Sequence, residues 1–337
     1  MFEVDFIVVV KNQLAFTEKC IESVLRHIPE PYHLIVIDNG STDGTPAYLE
    51  KIKNRIPRSS RLTVYRSEEN LGYARGLNQG LQFSNAPYVF FCNNDIEFFP
   101  GSVSEMIQIA NKSSNIGLVN PNSNEFGLKG YDKSFLDDQK GKIVERCHTS
   151  GFCVLVKQEV IQKIGGIDPE FGPAYFEDMD FAERARQAGF LCVVARGAYI
   201  HHYGTKTFLA TEKQALWDKN RKLFIKRWGG TKWFGYLGNG VFDPKKTRES
   251  LLSLARRNTA IIYIFIPKFA RSNFENLHDS FRIVEVPSGF GSLVVLGKVL
   301  TNFSNKPISR LYFSNPHQVE NWKKLSWLHR AETLTLD

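Results

Sequence analysis

Apolar and polar positions change period repeatedly along the first 200 residues. Residues 6–10 (Phe-Ile-Val-Val-Val) form an unbroken apolar run of strand length. Cys20, Ile21, Val24 and Leu25 then recur at helical spacing across residues 17–27, with Thr17 as N-cap and Pro29 and Pro31 as terminators. The succession repeats: strands at 33–37, 62–65 and 87–92 are followed by helices at 45–56, 74–83 and 101–111. Residues 120–139, rich in Asn, Gly, Ser and Asp, read as a surface loop. Beyond it the pattern predicts a strand at 151–156, a helix ending at Gly165-Gly166, a helix at 177–189 and a strand at 191–200 that runs into His201-His202. A helix at 211–228 would bury Leu216, Leu223 and Phe224. Such alternation argues an α/β fold built on a doubly wound, mostly parallel sheet.

Residues 240–250 read as a linker, so a catalytic domain over 1–240 and a C-terminal α/β extension over 241–337 are expected. The extension mixes a helix, a strand at 260–266 and a second apolar run at 292–300. Internal repeats are absent. A chain of 337 residues accommodates this plan, and no stretch approaches the roughly 18 apolar residues of a membrane span. Glu3 and Asp5 stand where a signal peptide would be basic. Five cysteines (Cys20, Cys92, Cys147, Cys153, Cys192) are scattered, odd in number and without metal-ligand spacing, which fits reduced thiols in the cytoplasm. Charge is uneven: residues 1–204 carry 21 Lys+Arg against 25 Asp+Glu, residues 205–337 carry 22 against 10, and all five tryptophans lie in the second part. A basic, aromatic surface of this kind suits an anionic partner such as a bilayer face or phosphorylated acceptor, or is a solvated face.

Candidate chemistry sits at strand ends, where open α/β sheets bind ligands. Asn93-Asn94-Asp95 closes the strand at 87–92 and presents amides and a carboxylate, which fits a hard cation with a diphosphate as well as a polar turn. Asp38 closes the strand at 33–37, as a ribose or base contact or as a loop residue. No Gly-x-Gly-x-x-Gly follows the first strand; Val10-Lys11-Asn12-Gln13 stands there. Gly72 and Gly76 sit near a helix start with Arg75 and Asn78, a place suited to an anion. Glu177, Asp178 and Asp180 cluster among Tyr175, Phe176 and Phe181. A carboxylate partly desolvated there could take a proton from a hydroxyl, although acids also cap helices. A strand alternates its faces, so one of His201 and His202 can point into the site.

In order and spacing these pieces resemble the family 2 glycosyltransferases of the A-type fold. The match runs from about Val4 to Gly230 through Val8-Val9-Val10-Lys11-Asn12, Asp38-Asn39-Gly40, Asn70-Leu71-Gly72 with Asn78, Asn93-Asn94-Asp95, Gly151-Phe152, Gly166-Ile167-Asp168, Glu177-Asp178 and His201. The variant is similar to bacterial enzymes, rhamnosyltransferase-like members included, that build O-antigen, capsule or cell-wall polysaccharide. The resemblance implies a metal-dependent, inverting transfer from a nucleotide-sugar donor to a hydroxyl of a glycan or lipid-linked acceptor. It implies Asp178 as general base beside Glu177, and Asp95 with His201 as ligands of Mn2+ or Mg2+. It implies donor binding by Val10, Asn12, Asp38, Gly72, Arg75, Asn78, Asn93, Asn94 and Gly151. Asn93 in place of an acid and Lys11 in place of a frequent Tyr are departures. A cytoplasmic protein with peripheral contact at the inner membrane face, and no nucleic-acid partner, is expected. A nucleotidyltransferase and a non-catalytic carbohydrate- or membrane-binding module are the alternatives.

Overall fold

The computed structural model describes residues 3–29, 31–126, 128–204, 210–238, 243–287, 294–295, 297, 308–326 and 331–336. The chain forms two compact units, residues 1–144 with 148–228 and residues 145–147 with 229–337.

In the first unit β1 (Val4–Val10) lies between β2 (Tyr32–Asp38) and β4 (Tyr88–Asn93), parallel to both, and β3 (Arg61–Arg66) adds to β2 in parallel. All seven residues of β1 and of β2 are buried. Strands covered on both faces need continuous rather than alternating apolar residues, which is the pattern seen. Beyond β4 the sheet becomes mixed, through β8 (Cys153–Lys157), β6 (Ile116–Asn122), β9 (Leu191–His202) and β5 (Ile96–Phe98), in the order β3-β2-β1-β4-β8-β6-β9-β5. β7 (Ile143–Arg146) also pairs with β9. Helices α1 (Leu14–His27), α2 (Thr45–Ile52), α3 (Gly72–Leu81), α4 (Ser102–Ala110), α5 (Lys133–Gln139), α6 (Gln158–Ile164) and α7 (Glu177–Gln187) connect the strands, and α8 (Ala210–Trp228) follows β9. One face of the sheet buries Phe6, Phe90 and Phe98, and the other buries Ile7, Ile35, Phe91, Leu77 and Phe181. Register pairs Val10 with Asp38 and Val9 with Asn93, so the polar ends of β2 and β4 share one carboxyl edge.

Several boundaries differ from the sequence reading for identifiable reasons. Thr17 is no N-cap: α1 starts at Leu14, whose amide is met by Asp43 Oδ2 at 3.0 Å, and Thr17 lies buried inside the helix. Residues 120–139 are not one loop, since β6 runs to Asn122 and α5 occupies 133–139, capped by Asp132. Residues 244–250 are not linker but the first half of α9 (Pro244–Arg257). Asp243 accepts from the Lys245 and Lys246 amides, and Pro244 opens the helix, where its missing N–H costs nothing.

The second unit is itself α/β. Its five strands, β10 (Lys232–Leu237), β11 (Ala260–Ile266), β12 (Phe281–Glu285), β13 (Arg310–Phe313) and β14 (Glu332–Thr335), are all parallel in the order β12-β11-β10-β13-β14. Leu251 and Leu254 of α9 pack with Phe234, Ile262 and Ile264, and α10 (Pro316–Lys323) follows β13. Of the apolar run at 292–300, only residues 294, 295 and 297 lie among those described. Among the described residues no helix is long and apolar enough to cross a membrane.

Candidate active site

The carboxyl edge of the first unit opens into a cavity of ≈ 490 Å3. Of the residues singled out in the sequence, Gly72, Asn93, Asn94, Asp95, Gly151, Glu177 and Asp178 line it. The first turn of α7 and the segment entering β8 are fastened together there. Gly151 N–H donates to Asp178 Oδ2 at 2.8 Å, the Met179 amide donates to Asp178 Oδ1 at 2.8 Å, and Gly151 C=O accepts from the Tyr73 hydroxyl at 2.7 Å. A Cβ at position 151 would stand 3.3 Å from that carboxylate, so glycine permits the close approach. Gly72, with φ of +75°, opens α3 while the next amide, of Tyr73, donates to Pro173 C=O at 3.1 Å; a Cβ there would meet Pro173 at 3.0 Å. Asp178 is thereby aimed by two amides.

Glu177 lies beside it at the start of α7, almost fully buried, with Oε2 making no hydrogen bond. Burial, reinforced by the negative charge of Asp178, pushes its pKa up to about 8. An acid whose folded pKa is raised binds its proton in the native state over a range where the unfolded chain has lost it. Stability from this group is therefore full below about pH 4.5 and declines as pH rises toward 8, by up to about 1.4 kcal/mol per pH unit. Urea unfolding at pH 5 and pH 8 should show Glu177→Gln flattening this decline; an unchanged slope would refute the assignment.

Asp95 and His202 meet across the cavity rim, with Nε2 3.3 Å from Oδ1. The other imidazole nitrogen, Nδ1, lies 2.8 Å from Glu125 Oε1, and the ring stacks on Phe152 at 4.9 Å between centroids. The turn carrying Glu125 is docked by Asn124, whose side chain accepts from and donates to the His202 backbone at 2.9 Å each way. Burial lowers the pKa of His202, but the hydrogen bond and charge of Asp95, with those of Glu125, outweigh it and the net shift is upward.

The expectation that His201 faces Asp95 is corrected. β9 slips in register against β6 after Ala195, where Pro121 pairs with Ala195 but Asn122 with Tyr199, so alternation counted along the apolar run loses its phase. His201 ends on the face of Tyr199 and Tyr203, with Nδ1 3.1 Å from the Tyr199 hydroxyl, and His202 takes the cavity side. Five further residues expected at the donor are placed elsewhere. Val10 belongs to the apolar core. Asn12 accepts from the Thr42 amide at 2.8 Å. Asp38 is buried and taken up by the Ser41 amide (2.8 Å) and Arg66 (2.9 Å). Arg75 is exposed on α3, and Asn78 pairs with both backbone groups of Ile167. Asn94 does line the cavity, but its amide also donates to Thr17 at 2.9 Å and braces α1.

Lys11, Asn39, Tyr73, Glu125, Phe152, Tyr175 and Phe176 also line the cavity. Asn39 was hidden in a turn-like tetrapeptide, and Glu125 in a segment with no periodicity. The Asn39 Oδ1 is buried without a partner, while its Nδ2 donates to Gly72 C=O at 3.2 Å.

The sequence model described as Glycosyl transferase family 2 matches residues 5–165. Residues 5–165 belong to glycosyl transferase family 2. The glycosyltransferase domain thus contributes Asp95 and Gly151 from inside the matched segment, whereas Glu177, Asp178 and His202 lie beyond it. N-acetylglucosaminyl-diphospho-decaprenol L-rhamnosyltransferase of Mycobacterium tuberculosis is 22% identical over 257 residues, covering 59% of this chain and 81% of that one. Succinoglycan biosynthesis protein ExoU of Rhizobium meliloti is 30% identical over 105 residues, 31% of this chain and 30% of that one. Mannosyltransferase PcManGT from Pyrobaculum calidifontis, solved with GDP-Man and Mn2+, superposes with a TM-score of 0.51 at 18% identity over 61% of this glycosyltransferase and 58% of that chain. GalNAc-T7, solved with UDP, GalNAc and Mn2+, superposes with a TM-score of 0.51 at 14% identity, covering 68% and 48%. At these identities the two structures share the fold.

Proposed function

We propose that this glycosyltransferase moves a sugar from a nucleotide-sugar donor to a hydroxyl of a glycan or lipid-linked acceptor, with inversion, in the assembly of a cell-surface polysaccharide. The observation that carries the proposal is that one cavity holds both an aimed carboxylate, Asp178, and a carboxylate–imidazole pair, Asp95 with His202. The name of the mycobacterial relative supports the class of acceptor, and the titles of the two solved neighbours support the class of donor.

The donor set fits a divalent cation. Carboxylate oxygen and imidazole nitrogen suit Mn2+ or Mg2+, and a separation of 3.3 Å is near the about 3 Å between adjacent ligands of an octahedral shell. Glu125 at Nδ1 would orient the ring, as outer partners of metal-bound histidines do. A cation held there would neutralise the diphosphate as it departs.

The protein groups do the rest. Asp178 takes the proton of the acceptor hydroxyl while that oxygen bonds to the anomeric carbon. The bond from that carbon to the diphosphate breaks, and its electron pair leaves with the nucleotide. Glu177, carrying a proton at neutral pH, adds no second negative charge beside the base. Asn39 Oδ1 is an unfilled acceptor for a donor N–H or O–H, since Asp38 is already occupied. Incubation with a panel of nucleotide sugars should show slow hydrolysis of at least one with Mn2+ and none with chelator. Turnover of a nucleoside triphosphate instead would favour the nucleotidyltransferase alternative, and inertness toward every donor would end the enzymatic reading.

A further inference from the structure

Beside the donor cavity stands an aromatic surface that the chemistry above leaves unused. Tyr175 and Phe176 hold φ of 72° and 71°. For bulky residues this is an outlying backbone region, and such strain gathers at functional sites. It is held in place from α8. Asn220 donates through one nitrogen to the carbonyls of Phe171, Ala174 (2.8 Å) and Tyr175 (3.0 Å). At the end of the same helix Arg227 and Trp228 hydrogen-bond Asp180 of α7 at 2.8 and 2.9 Å. The loop between Phe171 and α7 is thereby tied to α8, with Tyr175 and Phe176 at the cavity wall.

Trp217 lies one turn before Asn220 on the same face of α8. Its ring packs against Phe176 (4.8 Å between centroids) and Tyr175 (5.6 Å), yet 42% of the residue remains exposed. Tyr175 and the largely buried Phe176 line the cavity, and Trp217 packs against both, so the three rings form one continuous cluster that is in contact with the cavity wall through Tyr175 and Phe176 and reaches solvent at Trp217. Tyr175 and Phe176 adjoin Glu177 and Asp178 directly in the chain.

We propose that Trp217, with Tyr175, is the stacking platform for a pyranose ring of the acceptor, holding it so that a hydroxyl reaches Asp178. This rests on the transfer reaction proposed above. The C–H bonds on one face of a pyranose carry partial positive charge and complement the electron-rich face of an aromatic ring, while the hydroxyls at its edge stay free for water or a carboxylate. The surroundings of the platform favour a sugar over a lipid tail. Gln214, Asp218 and Arg221, within a turn of Trp217 on α8, are all exposed and polar, whereas a tail is apolar on every side.

The test uses the full chain, a donor identified by hydrolysis, and a panel of p-nitrophenyl pyranosides as acceptors. Trp217→Ala is expected to raise the acceptor KM about tenfold, with a much smaller change in kcat at saturating acceptor and an unchanged donor Kd; Trp217→Phe should recover most of the loss. An unchanged acceptor KM, a parallel loss of donor binding, or no transfer to any pyranoside while the donor is still hydrolysed would each overturn the platform. Intrinsic fluorescence separates this failure from that of the transfer reaction. Even without a usable donor, methyl pyranosides should shift the emission of the wild type and not that of Trp217→Phe, and identical responses in the two would also overturn it.

Discussion

Replacing Asp178 with Asn should lower turnover by about 10²- to 10⁴-fold while leaving donor affinity within about twofold. The asymmetry follows from the geometry. Asn keeps an oxygen for the Gly151 amide, at 2.8 Å in the wild type, so the fastening of α7 to the β8 start survives, while the acceptor of the neighbouring Met179 amide within α7 is given up. What is lost is a group able to receive the acceptor proton as the new bond forms, an interaction realised in the transition state and not in the donor complex. Isothermal titration with the donor, beside steady-state transfer, reads both quantities. An equal loss in the two would mean that Asp178 shapes the cavity and does not act on the acceptor.

The second large effect is expected at the cavity rim. Asp95→Ala should abolish the Mn2+-dependent part of nucleoside diphosphate binding, and His202→Ala should weaken it by about 10- to 100-fold. His201→Ala should leave it nearly intact, because that ring lies with Tyr199 and Tyr203 on the opposite face of β9. Nucleotide titrations with Mn2+ and with chelator check all three. Binding by Asp95→Ala that still responds to Mn2+, or a His201 variant more damaged than the His202 variant, would overturn the assignment.

How far the site could be read beforehand depended on whether a residue ends a regular element. Asn93, Asn94 and Asp95 follow an apolar run whose length and composition allow only a buried strand, so the edge they occupy was readable. Gly72, Gly151, Glu177 and Asp178 sit where one element gives way to the next, and they too reach the cavity. The histidine choice was out of reach, because the slip in β9 follows from how it pairs with β6. Asp38 looked free to meet a ligand because nothing local announces Arg66, 28 positions away, as its partner. Asn78 likewise bonds a backbone segment 89 residues distant. Residues of this kind are decided by long-range pairing of polar groups that burial would otherwise leave unsatisfied.

From the amino-acid order alone came the α/β class, the succession of elements in the first unit and the strand ends that border its cavity. Each is written in local periodicity and in where apolar runs stop, which neighbouring residues settle among themselves. The folded structure decided which side chains face the cavity, His202 rather than His201 and Asn39 rather than Asp38, and it placed a tryptophan from α8 against the loop that leads to Asp178. Which side chains face the cavity is set by how distant segments pair and pack, and that is a property of the packed chain and not of any stretch within it.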